Sequence, residues 1–132
     1  MNLSFTKVKE TCLYVKDLSA TKDFYHKKLG LPVITEVENR HIFFRAGESV
    51  LLCFISESTK EDKNLPPHFG EGKMHYALEC KKEEYLQWKA FFQKKNIPII
   101  HEEKWGRGFE SFYFEDPEKH VGEIVMKGMW GD

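Results

Sequence analysis

The chain nearly repeats itself, and this repeat constrains its fold more than any other feature. FYHKKLGLPVI (residues 24–34) aligns with FFQKKNIPII (residues 91–100) with a single deletion. The longer segments that contain them, residues 10–34 and 75–100, each show the pattern of an apolar strand, a polar turn, an amphipathic helix and a further strand. Two more strand patterns follow each segment. The sequence therefore predicts two βαβββ modules, at about residues 6–56 and 73–127, joined by a polar loop.

Two modules are too few for a solenoid, which needs three or more repeats. We therefore expect one α+β domain over residues 1–132, with the modules related by a pseudo-twofold axis. They would form a curved mixed sheet around a cleft, with helices on the outside. The strands predicted after the helices are Val33–Glu38, Arg40–Arg45 and Val50–Ile55, then Ile99–Glu103, Glu110–Phe114 and Gly122–Met126.

The charge balance excludes some classes of partner. The 132 residues include 20 basic and 21 acidic side chains, for a net charge of −1, so no overall field attracts nucleic acid or an anionic membrane. No apolar run approaches the ~20 residues of a membrane span, and MNLSFTKVKE lacks the apolar core of a signal peptide. We expect a cytoplasmic protein. The three cysteines form no CxxC pair and lie in apolar runs, where a free cysteine behaves as a small hydrophobic residue.

The repeat also pairs four positions that carry candidate chemistry. VLLCFI aligns with VGEIVM, which places Leu52 opposite Glu123, and the first strands place Glu10 opposite His75. If the modules enclose a cleft, Glu10, His75 and Glu123 converge there and would hold a divalent metal. One nitrogen and two oxygen ligands suit Mn²⁺, Fe²⁺, Co²⁺, Ni²⁺ or Zn²⁺, and the remaining coordination positions stay open to substrate. Alternatively, His75 is an ordinary hydrogen-bonded histidine at a strand end, and Glu123 lies at the sheet rim.

Other side chains are candidates for contact with a substrate. His41, Phe43 and Arg45 alternate along one predicted strand and so share a face. Arg45 would bind an anionic group, or else form a surface ion pair. Phe54 follows Leu52 on the same face and would add an apolar wall.

Two loops and one glycine complete the predicted features. Trp105 lies in a glycine-flanked segment that we interpret as a flexible lid, or else as a cap on the core. His68 is predicted to lie in a surface loop between the modules, or else in a stiff loop that lies over a neighbouring cleft. Gly122 is predicted to allow a close approach of backbone or helix to its strand.

Two segments resemble a known family. YVKDLSATKDFYHKKLGL (residues 14–31) resembles the opening module of the vicinal oxygen chelate superfamily, which includes glyoxalase I, extradiol dioxygenases, fosfomycin-resistance thiol transferases and bleomycin-binding proteins. SFYFEDPEKHVGEIV (residues 111–125) resembles the closing signature of that superfamily. The resemblance extends over almost the whole chain, from about Val8 to Val125. It supports the predicted fold and leaves the reaction open.

The resemblance implies a ligand set and a type of chemistry. Metal-dependent members take their ligands from the first and last strands of each module. The corresponding positions in this chain are Glu10, Leu52, His75 and Glu123. His75 and Glu123 match the family pattern, Glu10 stands where many members have histidine, and Leu52 cannot bind a metal. A metal-dependent lyase, isomerase or transferase is implied, with Glu123 as catalytic residue and the metal stabilising an oxyanion or enolate.

The departures from the family pattern restrict these implications. Leu52 disfavours glyoxalase I proper, and a single histidine ligand disfavours ring-cleaving dioxygenation. The alternative is a metal-free small-molecule or drug-binding protein, like the bleomycin-resistance members. The resemblance also implies a homodimer.

Overall fold

The computed structural model describes residues 2–131. The chain divides into two compact units, one that ends at Glu71 and one that begins at Gly72. These units correspond to the two modules predicted from the repeat, and each is described by itself.

Module one is a four-stranded mixed sheet with a helical segment. The strand order is β1-β4-β3-β2, where β1 is parallel to β4 and the other pairs are antiparallel. Its elements are β1 (Glu10–Val15), α1 (Leu18–Lys22), a π-helical continuation (Asp23–Lys28), β2 (Val33–Val37), β3 (His41–Ala46), β4 (Ser49–Ile55) and α2 (Ser56–Thr59).

Module two has the same order of elements and the same sheet topology. Its strand order is β5-β8-β7-β6, with β5 parallel to β8 and the other pairs antiparallel. Its elements are β5 (His75–Cys80), a 3₁₀ turn (Lys82–Glu84), α3 (Tyr85–Lys94), β6 (His101–Gly106), β7 (Phe109–Glu115) and β8 (Val121–Met126). The prediction of two βαβββ modules is confirmed.

Strand pairing confirms the positional equivalence inferred from the repeat. In each module the first strand pairs with the last strand in parallel. Glu10 begins β1 and lies opposite the residue two positions before Leu52. His75 begins β5 and lies opposite the residue two positions before Glu123. The two pairs therefore occupy the same register.

The first helix begins and ends at residues that favour these positions. The Asp17 carboxylate accepts a hydrogen bond from the Ala20 amide at 3.0 Å, which caps the N-terminus. Gly30 follows the helix at φ +82°, a conformation that costs glycine little. Between them, residues 23–28 widen into a π-helix, which the apolar spacing did not predict.

The core of each module lies between its helix and one face of its sheet. In module one, Ile42 and Phe44 of β3 are fully buried, and the Phe44 ring contacts Tyr25 of the π-helical segment at 5.5 Å. In module two, Phe92 of α3 contacts the buried ring of Phe112 at 5.0 Å. Because strand side chains alternate, odd-numbered β3 and β7 residues lie on the opposite face. We call this the helix-free face of each sheet.

Gly122 serves a side chain rather than a passing backbone or helix. A Cβ atom at this position would lie 2.3 Å from Cζ of Phe114, its cross-strand neighbour. The fully buried Phe114 ring covers the glycine and fills the space that a larger residue would need. The predicted close approach exists, but it is made by an aromatic ring.

Across residues 2–131, no helix combines the length and the apolar character needed to cross a membrane. The polar linker (residues 56–73) was predicted to be a loop, and it begins with the short helix α2.

Candidate functional site

His75 begins β5, and its ring orientation is fixed by the neighbouring strand. Its Nδ1 lies 2.9 Å from the carbonyl oxygen of Val121, which can only accept a hydrogen bond. Nδ1 therefore carries a proton, and in the neutral ring the lone pair is on Nε2. The same arrangement holds many metal-binding histidines, which donate their second ring N–H to a carbonyl.

Glu123 of β8 directs its carboxylate toward this ring. The residue is 6% exposed, and Oε1 lies 3.3 Å from His75 Nε2. Its second oxygen, Oε2, is buried and has no hydrogen-bond partner among residues 2–131. A buried acceptor without a donor destabilises the folded state by about 1–3 kcal/mol, more when it is charged. A bound cation would remove this cost.

Tyr113 lies beside Glu123 and was not predicted to belong to the site. The two residues are cross-strand partners on the helix-free face, and the Tyr113 and His75 rings are 6.1 Å apart. Burial raises the pKa of the Tyr113 phenol, and Glu123 raises it further by its charge and by accepting a hydrogen bond. The phenol therefore retains its proton next to the carboxylate.

The alternation of side chains along β7 did not identify Tyr113 as a site residue. FESFYFE carries aromatic residues at both odd and even positions, so alternation does not separate the core face from the helix-free face.

His75 and Glu123 are suitable ligands for a metal. The Nε2 lone pair and the Glu123 carboxylate lie side by side, and the partnerless Oε2 has unused capacity to coordinate. Within residues 2–131, no group of three or more His, Cys, Asp or Glu side chains is arranged as a complete metal site. Glu10, the third predicted ligand, is exposed at the start of β1 in module one, and its role stays a prediction.

A second histidine–glutamate pair on β6 provides an internal comparison. His101 Nε2 lies 2.9 Å from Glu103 Oε1, with 57% and 43% of the two side chains exposed. Water therefore reaches this carboxylate. The Glu123 carboxylate differs because only 8% of its side chain is exposed.

On the helix-free face of module one, three aromatic rings form a cluster in which His41 and Phe54 are buried and Phe43 is half-buried. His41 stacks on Phe43 with ring centroids 4.0 Å apart, and Phe54 contacts both rings edge-on at 5.9 and 5.3 Å. The predicted shared face of His41 and Phe43 is confirmed, and the contact of His41 and Phe54 with substrate stays a prediction. Arg40 donates to His41 Nδ1 at 2.6 Å, and burial followed by this positive charge lowers the pKa of His41.

The two remaining predicted substrate contacts differ in how they are held. Arg45 is exposed on β3, and no carboxylate among residues 2–131 forms an ion pair with it. Trp105 is 49% exposed and donates from Nε1 to the Ser111 hydroxyl at 2.9 Å. The prediction of a flexible lid is wrong, because Trp105 and Gly106 belong to β6 and only a tight turn at Arg107 follows.

His68 was predicted to lie in a surface loop, and its side chain is exposed. Its ring nevertheless contacts the module-one face: Nδ1 lies 2.7 Å from the Tyr14 hydroxyl, and the ring meets Phe54 edge-on at 4.8 Å. Loop sequence alone carries no periodicity from which this contact is predictable.

The profile of the Glyoxalase/Bleomycin resistance protein/Dioxygenase superfamily matches residues 7–124. The chain belongs to this superfamily. Among functionally curated proteins, none matches the chain.

Solved structures agree with the superfamily assignment. A lactoylglutathione lyase from Agrobacterium tumefaciens is similar, with 29% identity, a TM-score of 0.90, and coverage of 96% of this chain and 98% of that chain. A glyoxalase/bleomycin resistance protein/dioxygenase from Nocardioides shares the fold at 19% identity, with a TM-score of 0.73 and coverage of 96% and 88%. A glyoxalase family protein from Enterococcus faecalis shares it at 23% identity, with a TM-score of 0.68 and coverage of 92% and 98%.

Proposed function

We propose that the protein is a divalent-metal-dependent enzyme of the glyoxalase superfamily that acts on a small oxygen-bearing substrate. The observation that carries this proposal is the buried, partnerless Oε2 of Glu123 beside His75. His75 Nε2 and the Glu123 carboxylate would hold Mn²⁺, Fe²⁺, Co²⁺, Ni²⁺ or Zn²⁺. A metal bound there supplies Lewis-acid stabilisation of an oxyanion or enolate.

The residues of module two have distinct tasks in this proposal. The Val121 carbonyl holds the His75 ring so that Nε2 presents its lone pair. Glu123 is the candidate catalytic residue, because its carboxylate is almost excluded from solvent and faces the His75 ring at 3.3 Å. Tyr113 keeps a phenolic proton next to this carboxylate.

Three reaction types fit this arrangement: lyase, isomerase and transferase. The similarity to a protein described as a lactoylglutathione lyase favours the lyase type. Leu52 occupies the register position that Glu123 occupies in module two and offers no ligand atom. We therefore propose a lyase-type enzyme with a reduced protein ligand set.

Glu10 is retained as a third ligand on the evidence of the repeat, which aligns it with His75. Its contribution is separable from that of the other two residues. If Glu10 binds the metal, Glu10→Gln weakens metal binding without abolishing it.

A metal-free drug-binding protein is the second candidate function. The aromatic cluster of His41, Phe43 and Phe54 favours it, since Phe43, its half-buried member, leaves an aromatic ring open to a flat apolar ligand. We also propose that the protein forms a homodimer, as the superfamily resemblance implies. Light scattering after size-exclusion chromatography measures the mass of the assembly directly.

Metal titration of chelator-treated protein tests the proposed function. Isothermal titration calorimetry with Co²⁺, Ni²⁺, Mn²⁺ and Zn²⁺ should show one site per chain for at least one ion. Glu123→Gln and His75→Gln should each weaken binding by at least about 100-fold, since each removes a ligand atom. The matched control is Glu103→Gln, which alters the exposed pair on β6 and should leave metal binding unchanged. Binding that is equal in the wild type and Glu123→Gln would overturn the proposal.

A further inference from the structure

Two hydrogen bonds at Met74, the residue before His75, hold the start of β5. The Met74 carbonyl accepts from the Val121 amide at 2.8 Å, and the Met74 amide donates to Nδ1 of His120 at 3.0 Å. Val121 in turn accepts from the His75 ring through its own carbonyl. Because the end of a strand opens more easily than its middle, the orientation of His75 depends on these bonds.

His120 is a buried acceptor, with only 1% of the residue exposed. An amide N–H can only donate a hydrogen bond, so Nδ1 of His120 holds a lone pair and the hydrogen of the neutral ring is on Nε2. The bond to the Met74 amide is part-buried, and a shielded amide that loses its acceptor destabilises the local structure. Removal of the imidazole acceptor would therefore favour movement of Met74.

A closed turn holds His120 in this position. The Asp116 carboxylate accepts from the Glu118 and His120 amides, each at 2.9 Å. The Asp116 amide donates to the His120 carbonyl at 3.0 Å, which closes the turn from its other end. Between them, Lys119 adopts φ +70°, a conformation that is uncommon for residues other than glycine. The folded turn thus fixes His120 before any metal binds.

Module one keeps the backbone part of this arrangement and has a different side chain. The Val50 amide donates to the Lys9 carbonyl at 2.9 Å, the counterpart of the amide–carbonyl bond before β5. Ser49 stands where module two has His120, and its hydroxyl donates to the Val8 carbonyl at 3.3 Å. The backbone bond is therefore common to both modules, whereas the imidazole acceptor belongs to the module that carries the candidate metal ligands.

We propose that His120 is a positioning residue that holds the His75 ring in the orientation needed to bind a metal. Its Nδ1 fixes the Met74 amide at the start of β5. The His75 ring then reaches the Val121 carbonyl with Nδ1 and faces Glu123 with Nε2. The consequence for metal binding rests on the proposed function, whereas the orientation of the metal-free His75 ring does not.

Two variants of nearly equal shape separate the acceptor from the packing of the side chain. His120→Asn keeps an acceptor oxygen close to the position of Nδ1, and His120→Leu has the same branching without an acceptor. In chelator-treated, ¹⁵N-labelled protein, the wild type and His120→Asn should keep the proton of neutral His75 on Nδ1, whereas His120→Leu should show both tautomers. Calorimetric titration should show Zn²⁺ binding at least about tenfold weaker in His120→Leu, with most of the loss recovered in His120→Asn.

Two control variants and one direct measurement complete the test. Phe92→Leu weakens the core of module two, and His101→Asn alters an exposed histidine, so both should bind Zn²⁺ like the wild type while folded. In the wild type, a scalar coupling across the hydrogen bond should link the Met74 amide nitrogen to Nδ1 of His120, and this measurement needs no variant.

Three results would each overturn the proposal: no such coupling in the wild type, an unchanged His75 tautomer in His120→Leu, or equal effects of His120→Asn and His120→Leu. If the wild type binds no metal, the proposed function fails. The tautomer of His75 in metal-free His120→Leu then still decides whether His120 positions the ring.

Discussion

Two histidine–glutamate pairs lie on module two, and solvent access distinguishes them. The His101–Glu103 pair is closer, at 2.9 Å, yet both of its side chains are well exposed and water can satisfy them. The His75–Glu123 pair is longer, at 3.3 Å, and leaves one carboxylate oxygen buried without a partner. The shorter contact is therefore the less informative one, since surface ion pairs contribute about 0–1 kcal/mol.

The free-energy cost of burying the partnerless Oε2 predicts how Glu123→Gln changes the stability of the metal-free protein. An amide has no charge to bury, and its NH₂ group can donate to the lone pair of His75 Nε2. We expect metal-free Glu123→Gln to be more stable than the wild type by about 1 kcal/mol in urea unfolding at neutral pH. Glu103→Gln should change stability by less than about 0.5 kcal/mol. If Glu123→Gln is instead less stable than the wild type, other groups in the protein already stabilise the buried carboxylate.

His41 predicts a pH dependence of stability. Burial and then the Arg40 charge lower its pKa from 6.5 in the folded state, so the unfolded chain binds the proton more readily. The stabilising contribution is therefore present above pH 6.5 and is lost as the pH falls through the lowered folded-state value. His41→Gln should have a smaller slope of unfolding free energy between about pH 7.5 and 5.5. One titrating group contributes at most about 1.4 kcal/mol per pH unit. Parallel curves for the two proteins would contradict this.

At the residue scale, the sequence predicted the partners that the repeat could align and missed those that only packing reveals. His75 and Glu123 were found because each has a counterpart in the other module. Tyr113 was missed because its strand is aromatic on both faces. His68 was singled out as a loop residue, but its contact with Tyr14 was not predicted, because a tertiary contact rather than a local pattern orients the ring.

At the scale of elements, the packing of β7 against β8 depends on Gly122. The Cβ of an alanine would lie 2.3–2.8 Å from three atoms of the buried Phe114 ring. Gly122→Ala should therefore destabilise the protein by about 2–4 kcal/mol in urea unfolding, because overpacking forces the ring or the strand to move.

A double-mutant cycle checks that cause. Phe114→Leu removes the ring atom nearest to the added methyl group, so the combined variant should lose less stability than the sum of the single variants. If the stability losses of the two single variants simply add, the cost of Gly122→Ala does not come from a clash with the Phe114 ring.

Most strands were predictable because the two modules repeat the same pattern, and each copy supported the assignment of the other. The exceptions are local. Trp105 continues β6 because its indole binds Ser111 across the strand, although the flanking glycines indicated a loop. The π-helical turn at residues 23–28 and helix α2 depend on contacts that apolar spacing does not encode.

At the scale of the whole molecule, the chain carries two copies of one module with diverged ends. Glu10 and Leu52 stand in module one where His75 and Glu123 stand in module two. The module-two pair places an imidazole nitrogen 3.3 Å from a carboxylate oxygen, whereas Leu52 offers no ligand atom. The superfamily fold is thus kept, and the candidate ligand residues differ between the two modules.

If the metal binds only the folded state, it raises the unfolding free energy of the whole protein. At a metal concentration about 100 times Kd, the unfolding free energy should rise by about 2.7 kcal/mol. Thermal unfolding should shift upward on adding the preferred ion and return on adding chelator. Glu123→Gln should gain no more than about 0.4 kcal/mol at the same metal concentration, because its binding is at least about 100-fold weaker, while Glu103→Gln should shift like the wild type. A shift of equal size in all three proteins would indicate nonspecific binding.

The central claim is that His75 Nε2 and Glu123 hold a metal, and ¹⁵N NMR of histidine-labelled protein tests it most directly. In metal-free protein, the neutral His75 ring should carry its proton on Nδ1, toward the Val121 carbonyl. Saturation with Zn²⁺ should move the Nε2 resonance of His75 and leave Nδ1 protonated, with no such change at His101. An Nε2 resonance of His75 that is unmoved at saturating metal would contradict the account.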